Sequence, residues 1–226
     1  MVNPELIDPI VERVKSEFHR YKIFKDGVVS VFTEDPIIKG PPPVVHSIKA
    51  RMKNESHLRD KIIRKYSTED PISQENVFDR VTDIAGVRIL HLYQDQFTKI
   101  HECIQKQIDY GDWVLYETPK AYTWDPEFQD FFTRQGLEVE VKESFYTSIH
   151  YIVKPRKDSF ITCEVQVRTL FEEIWGEIDH AINYPHPTDI LSCREQLRVL
   201  ARLVGAGSRL ADSIFRTFND RMLKEK

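Results

Sequence analysis

The segment Glu164-Val-Gln-Val-Arg168-Thr169 decides how the middle of this 226-residue chain is interpreted. Because side chains alternate between the two faces of a strand, one face carries a carboxylate, an amide and a guanidinium, at Glu164, Gln166 and Arg168. The β-branched Val165 and Val167 lie on the other face and predict contact with a core. For this segment alone, a strand with a solvated polar face is an equally good interpretation.

A helix is predicted directly after this strand. Apolar residues recur at helical spacing from Leu170 to about Asn183, and Thr169 stands where an N-cap residue is expected. A charged strand face that ends at the start of a helix is typical of a functional site, so we predict one at this segment.

The remaining pattern predicts an α/β or α+β fold, with a mixed central sheet of about five strands flanked by helices. Ile84 to Leu92 is apolar on both faces for most of its length, as in a central strand. We predict three segments: a helical segment over 1–45, with a helix from Pro4 to Lys22; a main domain over 46–187; and a helical extension over 188–226. Gly205 and Gly207 are expected to break or weaken that last helix.

Composition excludes several classes of protein. No run approaches the roughly 18 apolar residues that a membrane helix needs. Cys103, Cys163 and Cys193 are odd in number and far apart, which argues against a disulfide framework and favours a reducing cytoplasm. The net charge of −4 argues weakly against a dedicated nucleic-acid binder.

Charge is distributed unevenly along the chain. Between Arg51 and Lys65, six basic residues face two acidic ones, whereas the balance reverses between Asp109 and Glu140. A basic patch on a mildly acidic protein favours a small anionic ligand over a long polyanion. We predict a basic helix over Arg51 to Lys65, and an ordinary solvated helix face is the plainer interpretation of its charge.

Two carboxylates are candidates for a shared metal ion. Asp83 lies at the start of the Ile84 strand, and Glu164 lies in the opening segment, so both can bind one divalent cation if the strands are neighbours. Mg²⁺ prefers oxygen ligands and commonly combines one or two carboxylates with substrate phosphates. Together with Arg51, Arg88 and the neighbouring lysines, this set suits phosphoryl-type transfer. No Gly-x4-Gly-Lys-Ser/Thr loop occurs, which excludes a P-loop enzyme. Taken alone, Asp83 also fits a simple strand-start or cap residue.

Four elements, in this order, resemble the synthetase domain of the RelA/SpoT family. They are Arg51-x-Lys53 with Lys61, the strand Asp83-Ile-Ala-Gly-Val-Arg88, the loop Lys142 to His150, and Glu164 to Thr169 followed by Trp175 and His180. The similarity spans roughly His46 to Tyr184, more than half of the chain.

The resemblance implies a nucleotidyltransferase-like fold and a reaction. An ATP-dependent pyrophosphokinase of this type transfers pyrophosphate to the 3′-hydroxyl of GDP or GTP, makes (p)ppGpp and releases AMP. It further implies that Asp83 and Glu164 hold Mg²⁺ and that Glu164 helps to deprotonate the attacking hydroxyl. The residues expected to bind ATP are Arg51, Lys53, Lys61 and Arg88. Those expected to bind the acceptor are Lys142, Tyr146, His150, Gln166 and Arg168.

The acceptor loop departs from the family pattern and leaves alternatives open. Ser144-Phe145 replaces the usual Asn-Gly, and Thr147 replaces an arginine. One alternative is a toxin that pyrophosphorylates the 3′ end of tRNA and is neutralised by a protein antitoxin; another is a catalytically silent nucleotide binder. A partial arginine stripe on the last helix suits contact with tRNA phosphates or an acidic antitoxin, although a solvated face is the plainer interpretation. The apolar side of that helix offers a surface for a homo-oligomer or simply closes the core. The stripe comprises Arg194, Arg198, Arg202, Arg209 and Arg216.

Overall fold

The computed structural model describes residues 4–184 and 186–224; residues 1–3, 185 and 225–226, including the outer ends of the predicted N- and C-terminal segments, lie outside this part. The described residues form nine helices and seven strands. The helices are α1 (Pro4–Ser16), α2 (Phe18–Glu34), α3 (Pro36–Lys39), α4 (Glu55–Lys65), α5 (Val77–Arg80), α6 (Gln96–Asp109), α7 (Pro126–Arg134), α8 (Leu170–Asn183) and α9 (Leu191–Lys224). The strands are β1 (Ser47–Met52), β2 (Ala85–His91), β3 (Val114–Leu115), β4 (Lys120–Thr123), β5 (Glu138–Val141), β6 (Ser148–Lys154) and β7 (Cys163–Thr169).

All seven strands belong to one mixed sheet, which confirms the predicted fold class. The order is β1-β2-β7-β6-β4-β5, and β3 pairs with β6 beyond the end of β4. The β2–β7 and β4–β5 pairs are parallel and the others antiparallel. The prediction of about five strands was too low because β1, β4 and β5 were not recognised. β1 had been included in the basic helix, while β4 and β5 are only four residues long.

The register separates a polar face of the sheet from an apolar one. Glu164 is paired with Gly86, and Gln166 lies between Arg88 on β2 and His150 on β6. Side chains of the alternate residues point away from this polar face and are buried in the main core. They include Val87, Ile89, Ile149, Tyr151, Val165 and Val167.

Helices cover the apolar face. The predicted helix from Pro4 to Lys22 is instead two helices, since α1 ends at Ser16 and α2 continues to Glu34. Glu17, at the junction, receives ion pairs from Arg13 on one side and Arg20 on the other, at 2.7 and 3.1 Å. In α1 the buried stripe includes Ile7, whereas Leu6 is 53% exposed.

The last helix is continuous, contrary to the predicted break. α9 runs without interruption through Gly205 and Gly207. Gly207 leaves room for Phe171 of α8, since a Cβ at this position would lie only 2.7 Å from the Cε1 atom of Phe171. Val204 and Ala201 bury Trp175 of α8, while Leu203 and other apolar residues of α9 remain exposed. No helix in the described part of the chain, α9 included, combines the length and apolar character needed to cross a membrane.

Candidate active site

The first carboxylate of the polar face is held by two lysines. Asp83 precedes β2 by two residues, and its oxygens lie 3.0 Å from Nζ of Lys53 and 2.7 Å from Nζ of Lys61. Burial raises the pKa of Asp83, but the two ammonium groups outweigh this effect, so the net pKa lies below the ordinary aspartate value. Asp83 is therefore a charged group in a basic pocket, as the local sequence had suggested.

The second carboxylate is oriented by the side chains of His150 and Gln166. The Nδ1 atom of His150 lies 3.1 Å from Oε1 of Glu164, and Nε2 of Gln166 donates to Oε2 at 2.8 Å. Burial raises the pKa of Glu164, and the nearby Asp83 charge does so too. The hydrogen bonds from His150 and Gln166 prevail, and the net pKa is lowered.

Asp83 lies two residues before β2, and Glu164 is the second residue of β7, which pairs with β2 in parallel. The two carboxylates are close enough that the Asp83 charge raises the pKa of Glu164. Together they fit a divalent cation of the Mg²⁺ type, which takes one or two protein carboxylates and completes its shell with substrate oxygens and water. No cluster of three or more His, Cys, Asp or Glu side chains suited to a metal occurs within residues 4–184 and 186–224. A fully protein-built metal cage is thus not what these residues form.

Two acidic residues of α8 form ion pairs with basic side chains of the site. Arg88 lies 2.8 Å from oxygens of both Glu173 and Glu177, and Glu173 also accepts a hydrogen bond from Lys49 at 2.6 Å. Sequence reasoning missed Lys49, Glu173 and Glu177. Their only local signals were the i,i+4 spacing of the two acids and the position of Lys49 two residues before Arg51.

Two adjoining cavities open on the polar face. One, of about 200 Å³, is lined by residues that include Arg51, Gly86 and Glu164. The other, of about 380 Å³, is lined by residues that include Tyr146 and His180. Arg51, Arg88, Gln166 and Glu177 line both cavities, so these side chains form the boundary between them. Arg51 reaches this position from β1, not from the basic helix in which it had been included.

The loop before β6 brings the predicted acceptor residues toward the larger cavity. The Tyr146 hydroxyl lies 3.0 Å from Nε2 of His150. Tyr122, which sequence reasoning had not singled out, packs edge-on against His150 with ring centroids 4.9 Å apart. Lys142 is the outermost member: its ammonium lies 4.5 Å from the centre of the Tyr122 ring and pairs with Glu140.

The two departures in this loop have structural counterparts. Phe145 has a φ of +64°, a left-handed conformation that glycine adopts more readily than other residues. Its ring packs against Trp124, with centroids 5.0 Å apart, which offsets part of this cost. Thr147 is buried, and its hydroxyl lies 3.1 Å from that of Thr123. The loop is thus anchored by packing where a glycine and an arginine had been expected.

The sequence matches a protein-family model over its main domain. Residues 50–189, more than half of the chain, match the model described as a region found in RelA / SpoT proteins. The chain belongs to the RelA/SpoT family. This confirms the resemblance inferred from the four sequence elements.

Individual RelA/SpoT proteins are similar over most of their length. The chain is 23% identical over 190 residues to GTP pyrophosphokinase YwaC of Bacillus subtilis, covering 80% of each protein. A GTP pyrophosphokinase family protein from Streptococcus pneumoniae has a similar structure, with 18% identity, a TM-score of 0.65, and coverage of 96% of this chain and 95% of that one. Small alarmone synthetase 1 of Bacillus subtilis, in the structure bound to its product pppGpp, has 18% identity, a TM-score of 0.64, and coverage of 88% and 92% respectively.

Proposed function

We propose that this RelA/SpoT protein is a pyrophosphokinase that transfers the β,γ-pyrophosphate of ATP to the 3′-hydroxyl of GDP or GTP. The observation that carries the proposal is the pair Asp83, just before β2, and Glu164, on the adjacent parallel strand β7, beside a basic cluster. The curated relative named as a GTP pyrophosphokinase, and the similar synthetase solved with pppGpp, support the acceptor class.

The donor side combines Arg51 and Arg88, which line the smaller cavity, with the two lysines that hold Asp83. Lys53 and Lys61 form ion pairs with Asp83 in this structure. If a cation bound to Asp83, both ammonium groups would be free to bind ATP phosphates. Arg51 lies where its guanidinium can stack beside the adenine, and Arg88 adds a donor for phosphate oxygens. Asp83 and Glu164 would hold Mg²⁺, which when bound neutralises phosphate charge and aligns the phosphoryl oxygens.

The acceptor side is the larger cavity. Tyr146 offers a ring face for the acceptor base, and His150 and Lys142 lie toward acceptor sugar or phosphate. The Gln166 side chain lies at the boundary between the two cavities. Because donor and acceptor cavities adjoin, two substrates bound in them would meet beside Glu164, and holding them in this arrangement supplies much of the catalysis.

Glu164 is the base in the proposed reaction. The acceptor 3′-oxygen forms a bond to the β-phosphorus of ATP, the bond from that phosphorus to the α,β-bridging oxygen breaks, and AMP leaves. The hydroxyl proton passes to Glu164, whose lowered pKa keeps it ionised at neutral pH. Arg88 and the two lysines stabilise the charge that builds up on the transferred group.

Two members of the arginine stripe that favoured tRNA are engaged within the chain. Arg216 makes a two-pronged ion pair with Asp95, at 2.5 and 2.6 Å, and Arg209 pairs with Asp125. The free-nucleotide acceptor is accordingly the better-supported substrate. Assembly into a homo-oligomer through the exposed apolar residues of α9 remains a prediction.

The decisive experiment supplies purified protein and magnesium with ATP radiolabelled on its γ-phosphate, together with GDP, GTP, no acceptor or deacylated tRNA. We expect label in guanosine tetra- or pentaphosphate and equimolar AMP. Label on tRNA would replace the proposed acceptor. If none of the acceptors becomes labelled although the protein still binds nucleotides, the protein would be a silent binder and the proposal would be refuted.

A further inference from the structure

Arg168 is a buried cation on the polar face whose hydrogen bonds go to protein groups. Its Nη2 atom donates to the hydroxyl of Tyr146 at 2.8 Å and to Oε1 of Gln166 at 3.1 Å. Its Nη1 atom lies 3.4 Å from Oε2 of Glu173. The arginine is 4% exposed, and a Cβ on Gly176 would lie 2.8 Å from Nη1, so the guanidinium fills its space.

One arm of hydrogen bonds runs from Arg168 to Glu164 through the acceptor loop. Since an arginine can only donate, the Tyr146 oxygen accepts from it and the Tyr146 proton is directed elsewhere. Nε2 of His150 lies 3.0 Å from that hydroxyl and accepts the proton, which leaves the hydrogen of His150 on Nδ1. This N–H then donates to Oε1 of Glu164 at 3.1 Å.

A second arm reaches the other oxygen of the same carboxylate. The Gln166 carbonyl oxygen accepts from Arg168 and from Nε of Arg88, the latter at 3.3 Å. Its amide nitrogen is therefore turned toward Glu164 and donates to Oε2 at 2.8 Å. Both carboxylate oxygens thus receive one hydrogen bond. Arg168 sets the direction of the His150 bond through Tyr146, and it sets that of the Gln166 bond together with Arg88.

We propose that Arg168 is a positioning residue that fixes the Glu164 carboxylate and the Nδ1–H tautomer of His150 through these two arms. The inference rests on the proposed pyrophosphokinase reaction, in which Glu164 accepts the proton, and gives Arg168 a role other than contact with the acceptor. Glu173 holds the guanidinium from the helix side, so the device joins β7, the acceptor loop and α8.

The first test compares Arg168→Lys, which keeps the charge but loses the fork of donors, with Arg198→Lys on the exposed face of α9 as control. We expect kcat of Arg168→Lys to fall about 10- to 100-fold, with KM for ATP and GDP within about threefold of wild type.

The result that would overturn the proposal is a raised acceptor KM with unchanged kcat, which would make Arg168 an acceptor-binding residue. An unchanged kcat would overturn it equally.

A second test does not depend on turnover or on the folding of the arginine variant. Long-range proton–nitrogen NMR of the histidine rings, assigned with His150→Gln, reports the His150 tautomer. We expect Nδ1–H in the wild type and a mixture in Tyr146→Phe, which cuts one arm and keeps the ring. The same tautomer in both proteins, or Nε2–H in the wild type, would refute the positioning role. An inactive wild type with the expected tautomer shift would refute only the proposed function.

Discussion

Glu164 and Glu172 lie eight residues apart in two regions that treat a buried carboxyl group in opposite ways. On the polar face, each oxygen of Glu164 receives a hydrogen bond and its pKa is lowered. At the seam between α8 and α9, burial raises the pKa of Glu172 to about 7, despite the hydrogen bond from the backbone of Thr169. The neighbouring Asp212 of α9 is also affected by burial, which raises its pKa to about 6.

The carboxyl group of Glu172 differs from that of Glu164 in how completely it is paired. Oε1 of Glu172, the side-chain amide of Gln94 and the hydroxyl of Ser208 are buried without hydrogen-bond partners among the described residues. Uncompensated burial disfavours charge, whereas dense donors and cations favour it. The comparison shows that partners, rather than depth alone, decide which glutamate is ionised at neutral pH.

The largest expected effect separates the two regions by activity. Glu164→Gln keeps the shape but removes the base and metal ligand, so we expect kcat to fall about a thousandfold in an assay of AMP release. The matched control, Glu172→Gln, should stay within about threefold of wild type. Turnover by Glu164→Gln within tenfold of wild type would contradict the roles proposed for this carboxylate.

The next effect concerns stability and pH. Because the folded protein holds Glu172 with a raised pKa, the wild type should lose stability as pH rises from about 4.5 to 7 and then level off. The loss is about 3 kcal/mol from this group, measured by urea unfolding at several pH values. Glu172→Gln should flatten this dependence above pH 6, where Asp212 contributes little. An unchanged slope in the variant would show that Glu172 is not the titrating group.

The smallest effect tests the residue that connects the two regions. Phe145 lies in the acceptor loop but packs near Trp175 and α9. Phe145→Ala loses packing and keeps the left-handed strain, whereas Phe145→Gly loses packing and relieves it. We expect Phe145→Ala to have a free energy of unfolding about 1 kcal/mol lower than that of Phe145→Gly, measured by chemical denaturation. Equal stability of the two variants would argue that the backbone conformation carries no cost.

Local patterns predicted several elements correctly because their causes are local. Thr169 caps α8 as expected: its hydroxyl accepts the N–H of Glu172 at 3.2 Å, and the Glu172 side chain accepts the N–H of Thr169 at 2.7 Å. The alternation from Glu164 to Arg168 identified a strand with one polar face. The strand β1 was missed because basic residues and short length gave a pattern that a helix also explains.

The sequence by itself determined the family, the polar face of β7, and the carboxylates of Asp83 and Glu164. Motif order and strand periodicity can be recognised directly in the sequence, because each motif is a short local pattern. Only the tertiary structure decided that Glu173 binds Arg88 and Lys49, that Arg168 directs bonds toward Glu164, and that burial raises the pKa of Glu172. These properties depend on charges and donors from distant strands and helices, and on the water that packing removes. No local pattern encodes either one.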